Sequence, residues 1–250
     1  MNEALNTSEL GSKSYWDDAY EREIRNHAED VDDEGTVWFD DTGAEEKVLE
    51  LLTKNVEEGN LNEVDGDTYS ASRFLDLGTG NGHMIFELRQ EGWQGEMVGV
   101  DYSETSVRLA QQIAAQRAES DASAGKNTPK NTTAFYRWDL LQDEPGSWLK
   151  DGFDVVLDKG TFDAISLSSE TNAQGRRSHE GYREKVLPLV KPGGLFIITS
   201  CNWTRDEVLK WFEGADGQLS LIDEVDYPSF TFGGEKGQSV CTLAFKRKSD

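Results

Sequence analysis

Cysteine, histidine, methionine and proline are all scarce in this 250-residue chain, at two, three, three and five residues. Cys201 and Cys241 have no metal-like spacing, and a disulfide scaffold or cysteine zinc site is excluded. Both cysteines sit in apolar, strand-like surroundings, so two buried reduced thiols are expected. His27, His83 and His179 form no ligand pattern; no metal is expected and none of the three is assigned a role. No stretch approaches membrane-spanning length. The acidic, polar N-terminus has no apolar run of the signal-peptide kind. A reducing intracellular compartment is expected, the cytoplasm, with the nucleus left open. Basic residues are also few: 25 Lys+Arg stand against 48 Asp+Glu, a net charge of −23. That balance repels phosphate and argues against nucleic acid as the main partner. It suits a basic protein or a cationic small molecule, and equally a soluble protein with acidic loops. No internal repeat stands out, and with no oligomeric signal a monomer is expected.

What is present is a regular alternation. Trp16, Tyr20 and Ile24 recur at helical spacing, as do Val48, Leu49, Leu52 and Val56. Strands are expected at Arg73–Leu77, Glu96–Asp101, Ala134–Trp138, Phe153–Leu157 and Leu195–Thr199. Helices are expected at Met84–Gln90, after the cap Ser103, at Ser147–Lys150, and at Tyr182–Val190, where Pro188 distorts or ends the helix. Thr204 and Glu207 form a capping box before Val208–Phe212. Two final strands, Leu219–Val225 and Ser239–Phe245, have no helix between them, only a Gly-rich loop at Gly233–Gly237, so they pair as antiparallel neighbours. The pattern predicts an α/β fold: a Rossmann-like doubly wound seven-stranded sheet, mostly parallel with one antiparallel terminal strand. Residues 1–36 read as an N-terminal helical segment or lid, and 37–250 as a single domain. Polar stretches near 57–72 and 119–133 read as flexible insertions.

The segment Phe74–Leu88, FLDLGTGNGHMIFEL, carries the strongest chemical signal. A strand runs into Gly78, Gly80 and Gly82, which permit a tight turn against a ligand at the carboxyl edge of the sheet. A nicotinamide site has a similar logic. The spacing here, however, is G-x-G-x-G rather than G-x-G-x-x-G. Asp76 precedes the first glycine, where a carboxylate suits the sulfonium and amino group of S-adenosylmethionine and poorly suits a pyrophosphate. Asp76 could equally partner a helix N-terminus. Asp101 ends the next strand, placed to accept both ribose hydroxyls in either cofactor. Asp139 ends the third strand beside Leu140, placed for an adenine amino group, or as a solvated strand end.

The fourth strand leads into Asp158-Lys159-Gly160-Thr161-Phe162-Asp163, and this position faces the methyl group in such sheets. The Asn/Asp-Pro-Pro-aromatic segment of base methylases is absent. If the acceptor is lysine, with a solution pKa of about 10.4, neutralising it at pH 7 costs about 4.6 kcal/mol. In-line positioning supplies roughly 7–11 kcal/mol of barrier reduction, so no covalent nucleophile is needed. Asp158 and Asp163 are the candidate proton-relaying carboxylates, with loop capping as the plainer reading of each. Trp38, Phe39 and Trp203 are candidates to line a channel for a cationic chain, or else pack in the core or a lid.

Several segments resemble the eukaryotic elongation factor 1-alpha lysine methyltransferases: LGSKSYWDDAYERE at Leu10–Glu23, VWF at Val37–Phe39, LDLGTGNG at Leu75–Gly82 and VDYS at Val100–Ser103. So do LDKGTFDAISL at Leu157–Leu167, SCNWT at Ser200–Thr204 and FTFGG at Phe230–Gly234. The resemblance implies a seven-stranded methyltransferase fold, S-adenosylmethionine as donor and a lysine of the basic protein elongation factor 1-alpha as acceptor. Asp76, Gly78, Gly80, Asp101 and Asp139 match the family's cofactor positions, and Asp158 and Thr161 fall in its active-site segment. With the reading of the residues themselves, the expected cofactor set is Trp38, Asp76, Gly78, Thr79, Gly80, Asp101, Tyr102, Asp139, Leu140 and Asp158, and the expected catalytic set is Asp158, Thr161 and Asp163. A small-molecule methyltransferase and a non-catalytic cofactor-binding module are the alternatives.

Overall fold

In the computed structural model, residues 5–61, 68–123, 133–171, 175–232 and 235–249 are described. Seven strands form one sheet: β1 (Phe74–Leu77), β2 (Met97–Asp101), β3 (Thr133–Arg137), β4 (Phe153–Lys159), β5 (Val190–Ser200), β6 (Leu219–Glu224) and β9 (Cys241–Arg247). Their order is β3-β2-β1-β4-β5-β9-β6. Every pairing from β3 to β5 is parallel, while β9 runs antiparallel to both β5 and β6. The single reversed strand is therefore the last in the chain, as the helix-free ending predicts. A separate ribbon, β7 (Ser229–Phe232) with β8 (Glu235–Gln238), occupies that connection. The expected loop at Gly233–Gly237 is thus partly strand, and 233–234 lie outside the described residues.

The helices are α1 (Lys13–Glu29), α2 (Ala44–Glu57), α3 (Thr68–Ala71), α4 (His83–Gln90), α5 (Glu104–Ser123), α6 (Thr161–Ser166), α7 (Tyr182–Val186) and α8 (Arg205–Phe212). Side chains alternate along each strand, so the sheet feeds two cores. Leu75, Leu77, Val98, Val100, Val156, Phe196, Ile198 and Phe245 face α6, α7 and α8. Phe74, Met97, Val155, Leu157, Leu195 and Ile197 face α2, α4 and α5. Helices on both faces of a mostly parallel sheet put the carboxyl ends of β1 to β5 on one edge. The order reverses between β1 and β4, and that switch point is where such sheets open a crevice.

Local chemistry explains most boundaries. Thr204 accepts from the Glu207 N–H, and the Glu207 carboxylate accepts from the Thr204 N–H, the reciprocal box expected for α8. Pro188 ends α7 in a single 3-10 turn, Leu187–Leu189. Three expectations change. Ser147–Lys150 is a turn rather than a helix: Gly146 and Gly152 bracket it, Lys150 is left-handed at φ 52, and only short turn bonds form. α5 continues through Ser123, so the second insertion cannot start at Glu119; residues 124–132, like 62–67 of the first, lie outside the described residues. Cys201 is exposed, because it stands just beyond the end of β5, whereas Cys241 is buried.

The core beneath α6 to α8 is largely aromatic. Phe212 is fully buried, with ring centroids 5.2 Å from Phe162, 5.0 Å from Phe196 and 5.9 Å from Phe245. Its truncation removes transfer energy and leaves a cavity. We expect Phe212→Ala to cost about 3–5 kcal/mol in urea unfolding, with cofactor affinity of the folded protein retained. A loss below 1 kcal/mol would mean the site collapses freely.

Candidate active site

β1 and β4 are hydrogen-bonded neighbours, with Leu77 opposite Asp158. Each leaves the sheet through the same five-residue frame: Leu75-Asp76-Leu77-Gly78-Thr79 and Leu157-Asp158-Lys159-Gly160-Thr161. Gly78 and Gly160 are both left-handed, at φ 63 and 88. The two frames interlock. The Thr161 hydroxyl donates to the Leu77 carbonyl at 2.7 Å. A Cβ on Gly78 would sit 2.1 Å from that hydroxyl oxygen, so only glycine fits there.

The aspartates of the two frames turn inward. Asp76 Oδ2 accepts from the Thr79 hydroxyl at 2.7 Å. Burial pushes its carboxyl up to about 7, against the lowering effect of that hydroxyl. Asp158 accepts from the Thr161 N–H at 2.8 Å, the Phe162 N–H at 3.1 Å and the Tyr182 hydroxyl at 2.5 Å. Burial pushes it also up to about 7, while Tyr182 and the backbone donors pull it down.

A cleft of about 240 Å³ opens above this switch point. Of the predicted residues, Trp38, Gly78, Asp101, Tyr102, Asp139, Leu140, Thr161 and Asp163 line it. Asp76, Thr79, Gly80 and Asp158 do not. Asp76 and Thr79 are occupied with each other beneath the turn, and Gly80 is covered by Tyr20, whose hydroxyl lies 2.7 Å from where its Cβ would be. Asp158 is spent capping α6, so a catalytic contact for it finds no support in its placement. Trp203 is likewise no channel residue. It is buried against Phe162, with its indole N–H on Ser166 Oγ at 3.1 Å.

Asp101, at the end of β2, accepts from the Ser103 N–H at 2.9 Å and the Gly80 N–H at 3.2 Å. One lone pair of each oxygen is thereby used, leaving acceptor capacity for a diol. Burial raises its carboxyl above the ordinary value, countered by Ser103 and then Ser106. Asp139 accepts from the Leu141 N–H at 2.9 Å, which fixes the turn after β3. Asp163 accepts from Ser200 Oγ at 2.5 Å and the Cys201 N–H at 2.8 Å. Its carboxyl is raised, first by burial. Sequence reasoning missed Lys159, Gly160, Cys201 and Asn202, which also line the cleft, and read Trp16 and Tyr20 only as a helical stripe. The SCNWT and DKGT segments held the missed signal.

The donor set favours a sulfonium nucleoside over a dinucleotide. Among the described lining residues, the lysines are Lys13 and Lys159. Lys159 is largely buried against Glu45 at 3.2 Å, and the exposed Lys13 stands beside Asp17 at 2.7 Å, so no buried cation is left over for a pyrophosphate among them. Apolar Leu77, Val100 and Leu140 offer a surface for a purine. A larger groove of about 730 Å³ runs along α2 and α4, lined by acids including Glu46, Glu50, Glu57, Glu87 and Glu91. It lies off the strand ends and touches the cleft's lip at Val37 and Asp40.

Residues 69–227 match the family described as a methyltransferase domain. Over 98% of its length the chain is 39% identical to the protein-lysine N-methyltransferase EFM4 of Saccharomyces cerevisiae, covering 97% of it. It is 32% identical to EEF1A lysine methyltransferase 2 of Homo sapiens, over 96% of this chain and 87% of that one. The chain belongs to this family of protein-lysine N-methyltransferases. The magnesium protoporphyrin IX methyltransferase of Synechocystis PCC 6803 with bound SAM shares the fold, at a TM-score of 0.56 and 18% identity, over 99% of this chain and 100% of that one. A TehB-like SAM-dependent methyltransferase from Corynebacterium glutamicum does so at 0.54 and 15%, over 93% and 98%. The methyl donor of this methyltransferase is S-adenosylmethionine.

We expect Asp101→Ala to weaken S-adenosylmethionine binding by about 1–3 kcal/mol in calorimetric titration, because a charged acceptor is lost. Unchanged affinity would remove Asp101 from the site. Asp158 yields a second expectation. Its folded pKa, about 7, lies above the ordinary 3.8, so the folded state holds its proton more tightly than the unfolded chain. The resulting stability is complete below about pH 4 and is lost as pH rises through 7. In cofactor-free protein, Asp158→Asn should flatten part of the fall in urea stability between about pH 4 and 7. An identical slope would refute the raised pKa.

Proposed function

We propose that this methyltransferase transfers methyl groups to a lysine of translation elongation factor 1-alpha, as a monomer in the cytoplasm. The observation that carries the reading is the near full-length relation to enzymes named for lysine methylation of that factor. Charge supports it. A chain of net charge −23, with an acidic groove meeting the lip of its cleft, suits a basic protein surface.

S-adenosylmethionine, when bound, supplies a methyl group on an electrophilic sulfonium. The chain's own residues do the rest. The glycine turn and Asp101 orient the nucleoside. Trp38 and Phe39 offer aromatic faces to an incoming alkylammonium chain. Asp163, on the β4–β5 side of the cleft, provides a carboxyl fixed by Ser200 and Cys201. Its raised pKa suits it to take up the proton that the acceptor amine must lose before it can attack. No nucleophile of the protein enters the reaction, so catalysis rests on alignment and desolvation.

The test is transfer from labelled S-adenosylmethionine to intact elongation factor 1-alpha, with the modified residue located by mass spectrometry. Label on a lysine side chain is expected. An unlabelled factor alongside turnover of a small amine would move the enzyme to the small-molecule class.

A further inference from the structure

A lysine in a cleft that receives a sulfonium and an alkylammonium is an electrostatic problem. Lys159 ends β4 and lines the cleft, yet its ammonium is not available to either ligand. It lies 3.1 Å from the Trp38 carbonyl, to which it donates, and 3.2 Å from Glu45 Oε1. The other Glu45 oxygen lies 2.6 Å from His83 Nδ1, on the first residue of α4. Both side chains of the Lys159–Glu45 pair are largely buried. Burial alone would push the Glu45 carboxyl up, but His83 and Lys159 together hold it below its ordinary value.

The carbonyl that Lys159 takes belongs to an unusual stretch. Phe39, the next residue, is left-handed at φ 67, a conformation that non-glycine residues keep only where the surroundings impose it. On one side Phe39 is imposed by its own turn: its carbonyl accepts from the Thr42 N–H at 3.1 Å and the Thr42 hydroxyl at 2.8 Å. On the other it is imposed by β4. The Phe39 ring sits where a Cβ on Gly160 would meet it at 2.9 Å, and Lys159 Nζ stands 6.0 Å from the ring centroid. Trp38, half exposed beside it, meets Trp16 edge-on at 5.1 Å.

The geometry points to Lys159 as a positioning residue: its ammonium, neutralised by Glu45, latches the Trp38 carbonyl and so holds the Trp38–Phe39 lip as one wall of the passage for the acceptor side chain. This assignment rests on the protein-lysine reading above. Lys159 touches no reacting atom. Glu45 makes the latch tolerable in a passage for cations, because an uncancelled ammonium there would repel both ligands.

The test compares wild type, Lys159→Met and Lys159→Arg in steady-state methylation of intact elongation factor 1-alpha, with cofactor binding measured separately. Methionine keeps the stem and removes both charge and donor. We expect the KM for the factor to rise by about tenfold to a hundredfold, the range set by small misplacements in a site, with cofactor Kd no weaker than wild type. Arginine, which keeps charge and donor, restores most of that loss. Hydrogen exchange at the Thr42 and Ala44 amides, both bound to the Phe39 carbonyl, should quicken in the methionine variant. If Lys159→Met does not fold, Lys159→Leu, which also lacks charge and donor, is read by the same two measures. An unchanged KM with unchanged exchange would overturn the latch. So would cofactor affinity falling in step with kcat/KM. A wild type that leaves the factor unlabelled would instead overturn the substrate reading, while the exchange result would still judge the latch.

Discussion

One hydrogen bond organises the catalytic edge: the Thr161 hydroxyl donating to the Leu77 carbonyl across the switch point. It joins the turn after β1, which faces the nucleoside, to the start of α6, which faces the acceptor. It leaves no volume for a side chain at Gly78, so the left-handed glycine and the threonine specify each other. The bond adds a side-chain donor to a carbonyl at the end of β1, at the register position where β1 faces β4. With β1 and β4 tied in this way, Asp158 is free to cap α6 instead of bracing the turn, and it holds that helix against Tyr182. The turn after β1 and the start of α6 are therefore joined directly.

Burial governs the chemistry of the same edge. Asp76, Asp101, Asp158 and Asp163 all have raised carboxyl pKa values, and in each burial is the leading cause. Four desolvated carboxyls at the end of one sheet would repel one another if all were ionised. Backbone donors and hydroxyls offset that cost. A cationic ligand in the cleft would offset more, because it favours the ionised forms nearest to it. The acidic net charge is thus not only a matter of the outer surface. Part of it is concentrated where two cations must meet.

Much of this was legible in the chain. Strand and helix alternation follows from local periodicity, which is why the sheet and its reversed last strand could be read in advance. The place of Gly78, Asp101 and Asp139 on the cleft was legible because a turn and two strand ends are local features too. What stayed hidden depends on distant partners or on short-range capture. Asp76 and Asp158 sit in the same Leu-Asp-x-Gly-Thr frame, and in both the threonine three residues on claims the carboxylate, by its hydroxyl in one and its N–H in the other. Sequence position suggested a ligand contact for both; it did not show the partner that each already has within its own frame. Trp38 and Trp203 look alike in sequence, each beside a strand end or loop. One is half exposed because its chain is pulled across the cleft, and the other is sealed under α6 by its bond to Ser166. Ser147–Lys150 failed as a helix because Lys150 turns left-handed and only three-residue turn bonds close between the flanking glycines. Lys159 gave no signal because the carbonyl it holds lies 121 residues away.

The Glu45 carboxylate explains how distant parts are kept in register. It is shared between His83, which opens the helix after the nucleoside turn, and Lys159, which holds the acceptor lip. A buried ion pair adds little net stability, since desolvation cancels most of its attraction. Removing one member is costly all the same, because the partner is left as an uncompensated buried charge. A carboxylate with one oxygen on each neighbour therefore penalises displacement of either. If α2 shifted away, Lys159 would lose its counter-ion and His83 its acceptor together. The arrangement contributes alignment rather than stability. Alignment is what methyl transfer requires of a protein that supplies no nucleophile of its own.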